Sequence, residues 1–88
     1  MPGPGPGGGA SVTIKVRYFA RLREDLGREA DEVEAAGADT VADVWRRATG
    51  RPAPPPNTLA AVNLEYRPLE AQVRDGDEVA FFPPVTGG

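Results

Sequence analysis

Thr40-Val41-Ala42-Asp43-Val44-Trp45-Arg46-Arg47-Ala48-Thr49-Gly50 is the stretch from which the fold can be worked out. Val41, Val44, Trp45 and Ala48 recur at the i, i+3, i+4, i+7 spacing that places apolar side chains on one face of an α-helix. Thr40 offers a hydroxyl cap and Asp43 stands three residues on, a capping arrangement typically worth about 1 kcal/mol, while Gly50 supplies the stop. Arg46 and Arg47 then face solvent, and Trp45 is expected in the core rather than exposed as a stacking platform. The helix is long enough to cover one face of a sheet, if the flanking segments supply one.

Upstream, Val12, Ile14, Val16 and Tyr18 alternate with polar residues as in a half-buried strand, and Phe19 falls on the polar side. Leu22 and Leu26 before Gly27 predict a short helical turn over residues 21–26. A weaker strand over residues 31–36 is expected to pair with the first through Val33. Downstream, the proline-filled residues 51–58 read as a rigid connecting loop. Residues 59–63 form a short strand, residues 63–68 are rich in turn formers, and Asp75-Gly76-Asp77 is a turn feeding a last strand, Glu78-Val79-Ala80-Phe81-Phe82. That acidic triplet lacks the spacing and terminal glutamate of a calcium loop. In the last strand Val79 and Phe81 share one face, Ala80 and Phe82 the other. Strand, turn, strand, helix, short strands and final strand make an α+β roll.

Composition works by exclusion. The 88 residues include no cysteine and no histidine, which removes disulfides, zinc fingers, thiol nucleophiles and histidine bases together. A net charge of −3 argues against nucleic acid as a partner, since phosphate binding needs a clustered basic face. Glu24, Asp25, Glu29, Asp31, Glu32, Glu34 and Asp39 surround the single base Arg28, which reads as a solvated acidic face, with a basic partner surface as the alternative. No apolar run reaches membrane-spanning length and no signal peptide is visible, so no membrane partner and a cytoplasmic location are expected. The glycine- and proline-rich residues 1–11 read as a disordered extension. Gly3, Gly5 and Gly8 formally match a dinucleotide-binding pattern, but no strand precedes them and prolines interrupt them, so the match is rejected.

Two further features point outward. Phe19 and Phe82 both lie opposite the core residues of strands expected to be neighbours, which predicts a docking patch. After Phe82 the chain runs straight into Pro83-Pro84-Val85-Thr86-Gly87-Gly88. The prolines hold the start extended, and the six residues can reach about 20 Å. The terminal Gly-Gly can pass through a slot too tight for any side chain. A frayed terminus is the competing reading. If the chain handles a reactive group, its own Gly88 carboxylate is the leading candidate.

Leu59-Ala60-Ala61-Val62-Asn63 and Asp75-Gly76-Asp77-Glu78-Val79-Ala80-Phe81-Phe82-Pro83-Pro84-Val85-Thr86-Gly87-Gly88 resemble the small-subunit family of molybdopterin synthase, MoaD, among the MoaD/ThiS-type ubiquitin-like sulfur carriers. The opening Ile14-Lys15-Val16-Arg17-Tyr18-Phe19-Ala20 and Leu22-Arg23-Glu24 are similar too. The resemblance implies a ubiquitin-like β-grasp, with a mixed sheet of about four to five strands packed on one main helix. It divides the chain into an extension (1–11), a domain (12–82) and a functional tail (83–88).

It further implies that a MoeB-like, ATP-using enzyme adenylates Gly88 and that a sulfur donor protein converts the adenylate to a thiocarboxylate. Pro83, Pro84, Val85, Thr86 and Gly87 then enter a MoaE-like large subunit, where sulfur passes to cyclic pyranopterin monophosphate. Phe19, Tyr66 and Phe82 are the implied apolar contacts with that subunit and Arg23 a polar one, with a solvated side chain as the alternative for Arg23. Two small and two large subunits are expected, with no cofactor or metal held by this chain. The Gly/Pro-rich extension and the proline-filled loop depart from the family pattern, both away from the tail. A carrier for thiamine biosynthesis and a protein modifier that joins its terminus to lysines are the alternatives.

Overall fold

The computed structural model describes residues 13–84. Five strands and two helices follow in the order β1 (Thr13–Tyr18), α1 (Ala20–Leu26), β2 (Ala30–Glu34), α2 (Val41–Thr49), β3 (Leu59–Val62), β4 (Glu65–Tyr66) and β5 (Glu78–Phe82). The sheet order is β2-β1-β5-β3-β4. β1 and β5 lie parallel in its centre and the other pairs are antiparallel. This is the expected mixed α+β sheet, a ubiquitin-like β-grasp with all five strands formed.

The period-2 pattern of β1 is obeyed: Ile14, Val16 and Tyr18 are buried while Lys15 and Arg17 are exposed. β2 begins one residue earlier and ends two earlier than its sequence suggests, and Val33 pairs with Ile14 as anticipated. α1 also starts one residue early. Phe19 is its N-cap in extended conformation, and Gly27 closes it at a left-handed φ of 75°.

α2 lays Val41, Val44 and Trp45 on the buried sheet face against Ile14, Val16, Tyr18, Val33, Val62, Val79 and Phe81. The Phe81 ring meets Trp45 edge-on at 5.0 Å and stacks with Tyr18 at 6.4 Å. Trp45 is therefore core, as its spacing requires.

The capping box is complete, since Asp43 N–H donates to Thr40 Oγ1 (3.2 Å) and Thr40 N–H to Asp43 Oδ2 (3.2 Å). The segment between β4 and β5 satisfies two more helix-end donors: Val41 N–H reaches the Ala71 carbonyl (3.0 Å) and Ala42 N–H the Leu69 carbonyl (2.9 Å). Residues 69–73 are thereby stitched to the start of α2.

The turn-rich residues 63–68 contain a feature that composition did not announce. β3 and β4 form a hairpin joined by only Asn63 and Leu64, both at positive φ (51° and 73°), as a mirror-image turn between twisted strands demands. Asn63 is pinned there. Its N–H donates to the Glu78 carbonyl (2.8 Å), its Nδ2 to Asp77 Oδ1 (2.9 Å), and its Oδ1 accepts from Glu78 N–H (3.0 Å).

Candidate functional site: an aromatic groove at the root of the tail

The face of the sheet opposite α2 carries the site. In register across it stand Arg17 on β1, Ala80 on β5, Ala61 on β3 and Tyr66 on β4. Two alanines on adjacent central strands leave a low apolar floor, and larger side chains rise around it. The resulting groove of about 360 Å³ is lined by Arg17, Phe19, Ala61, Leu64, Tyr66, Glu78, Ala80 and Phe82. Phe82 is its middle ring, edge-on to Phe19 at 6.1 Å and inclined to Tyr66 at 5.5 Å. Phe82 is half-buried between them, whereas Phe19 and Tyr66 are 44% and 70% exposed.

Three of the sequence-predicted contact residues, Phe19, Tyr66 and Phe82, are thus brought together although they lie far apart in the chain. Arg23 is exposed on α1 and does not line the groove. Leu64, 93% exposed, joins the lining from the hairpin turn and was missed in the sequence. Its only signal was a large apolar residue directly after Asn63 in a turn. The lining contains two charged side chains, Arg17 and Glu78, which face each other at 3.5 Å. The floor is therefore apolar and its rim close to neutral, a surface suited to another protein.

The tail leaves from the edge of this groove. Phe82 is the last β5 residue, still paired with Leu59; Pro83 is half-buried and Pro84 exposed. Val85, Thr86, Gly87 and Gly88 lie outside the described residues, as do residues 1–12 and with them the whole extension. A partner seated on Phe82 would stand beside the point where the tail departs.

Shifted acidities lie elsewhere and are structural. Burial, then the hydrogen bond to Asp31 (2.9 Å) and that carboxylate's charge, push the Tyr18 hydroxyl well above its ordinary range. The N–H of Asp39 (3.0 Å) and the donors of Thr40 hold the Asp43 carboxyl down, with Arg46 adding its charge and desolvation opposing. No group of His, Cys, Asp or Glu suited to a metal ion occurs among the described residues, and no described helix is long and apolar enough to cross a membrane.

The ThiS family profile matches residues 16–88. The chain is 44% identical to the molybdopterin synthase sulfur carrier subunit of Escherichia coli and 39% identical to that of Haemophilus influenzae, in each case over 85% of this chain and 99% of the relative. In structure it is similar to the small archaeal modifier protein 1 of H. volcanii, with a TM-score of 0.71, 26% identity, and coverage of 84% of this chain and 99% of that one. From the first core strand through the glycine tail, the chain belongs to the ThiS family.

Proposed function

We propose that this chain is the sulfur carrier subunit of a molybdopterin synthase, with the Gly88 carboxylate as the carrying group. The observation that supports it most is the match to two molybdopterin synthase sulfur carrier subunits across nearly their whole length, in a chain that ends in Gly-Gly.

A carboxylate is a poor electrophile, and no cysteine or histidine is present to activate it. An ATP-using, MoeB-like enzyme supplies the activation: the Gly88 oxygen attacks the α-phosphorus, pyrophosphate leaves, and an acyl-adenylate forms. Sulfide-level sulfur delivered by a donor protein then attacks the acyl carbon, the bond from that carbon to the AMP oxygen breaks, and a thiocarboxylate remains. The tail carries it into a MoaE-like large subunit, which positions cyclic pyranopterin monophosphate and provides the acid and base groups. This chain contributes the tail and the groove of Phe19, Tyr66 and Phe82, which holds the large subunit at the tail's root. Two small and two large subunits complete the assembly, and the work is done in the cytoplasm.

The test is the intact mass of the chain after incubation with ATP, a sulfur source and the activating enzyme. A gain equal to replacing one oxygen by sulfur, followed by its loss on adding the large subunit and pterin precursor, is the expected result. Activation with no transfer to the pterin precursor would refute the pathway.

The similarity to a small archaeal modifier protein favours a second reading, in which the activated terminus is joined to lysine side chains of other proteins. Isopeptide-linked conjugates in cell extracts would support it. Lys15 is this chain's only lysine, so linkage of one copy to another through side chains has a single acceptor site.

A further inference from the structure

Leu64 combines two unfavourable features that nothing inside the domain offsets. It is 93% exposed, and it sits at φ 73°, a left-handed conformation that glycine or asparagine adopts far more readily than leucine. The conformation is imposed from outside the residue. Asn63 is locked to Asp77 and Glu78 by three hydrogen bonds, and β4 must begin at Glu65, so both turn residues are driven to positive φ. A bulky apolar side chain at a strained and solvated position is the mark of a contact made with something else.

Its placement says with what. Leu64 lines the same groove as Phe19, Tyr66 and Phe82, and the groove's two charges, Arg17 and Glu78, compensate each other. An uncharged, apolar protuberance therefore fits there better than a charged segment, and whatever occupies the groove touches the strand from which the tail departs. Resting on the function proposed above, we propose that Leu64 is an additional anchor for the large subunit: it extends the aromatic groove beyond the sheet edge and grips an apolar patch of that partner, and so helps to select it.

The test separates anchor from scaffold. Leu64→Gly and Leu64→Asn both relieve the backbone, so the melting temperature of the isolated chain stays the same or rises. Affinity for the purified large subunit, measured by calorimetry, falls about fivefold or more. Leu64→Met, which keeps an apolar side chain, retains most of the binding. A fall in melting temperature with unchanged affinity would assign Leu64 to the fold and overturn the inference.

Phe82→Ala serves as the control. If wild type binds, Phe82→Ala weakens it and Leu64→Gly does not, the Leu64 assignment alone is wrong. If wild type does not bind the large subunit at all, the functional reading fails, and the Leu64 inference with it.

Discussion

Phe81 and Phe82 are adjacent rings on one strand with opposite duties, and replacing each by alanine tests the assignment of sheet faces on which the site depends. Phe81 is fully buried between Trp45 and Tyr18. Removing such a ring typically costs about 3–5 kcal/mol, out of roughly 4–11 kcal/mol available to a domain of this size. At about 4–8 °C per kcal/mol for a small domain, the melting temperature of Phe81→Ala should fall by at least about 12 °C, and the variant sits near the edge of folding. Phe82 is half-buried and shares edge contacts with Phe19 and Tyr66. Its loss should cost about 1–2 kcal/mol from partial burial and two aromatic pairs. In the complex the order reverses. Phe82→Ala should weaken large-subunit binding about fivefold or more, as at an interface hot spot, whereas the folded fraction of Phe81→Ala should bind nearly as wild type does. Thermal unfolding followed by circular dichroism and calorimetric titration with the large subunit read the two effects separately. A Phe82→Ala variant that melts as low as Phe81→Ala yet binds normally once corrected for folded fraction would show the faces to be reversed and the groove to be misassigned.

Deleting Gly88 should abolish adenylation, read as ATP–pyrophosphate exchange, with little change in melting temperature, because every described core residue lies at or before Phe81; normal exchange by the truncated chain would remove the terminus from the chemistry. Thr40→Ala should destabilise the domain by about 1 kcal/mol through loss of the α2 cap, measurable by urea unfolding. Asp43 has a folded pKa below its ordinary 3.8, so its contribution is complete above that value and lost as pH falls through the depressed one. Asp43→Asn should accordingly flatten the acid limb of the stability profile. Tyr18 shows the opposite sign: its folded pKa is raised above the ordinary 10.0, so its contribution is complete below pH 10 and lost as pH rises through the folded value. Tyr18→Phe should cost about 1 kcal/mol at neutral pH and remove part of the alkaline transition.

Local chemistry made much of this protein legible before any coordinates. The Thr40 cap, the Asp43 partner, the apolar spacing from Val41 to Ala48 and the Gly50 stop are all short-range signals, and α2 follows them residue for residue. The alternation in β1 and β5 likewise foretold which of Ile14, Val16, Tyr18, Val79 and Phe81 would be buried, because a strand's period depends only on its backbone. The exclusion of thiol and imidazole chemistry, and the directness with which Phe82 runs into the glycine tail, were also plain in the chain itself.

What tertiary structure decided is adjacency. Nothing in the spacing of Phe19, Tyr66 and Phe82 required their rings to meet within 5.5–6.1 Å; that depends on β5 inserting between β1 and β3. Ala61 and Ala80 read as small strand residues until the register set them side by side as the groove floor. Arg23, alike in chemistry to Arg17, lies outside the groove because it belongs to α1, while Arg17 belongs to the sheet. Leu64 was invisible for the same reason: its strain comes from hydrogen bonds between Asn63 and residues Asp77 and Glu78, far along the chain, and its exposure matters only beside the rings it joins. Helix caps and strand periods are written in neighbouring residues, whereas a binding surface on a sheet is assembled from several strands at once, and only the pairing order determines which side chains share it.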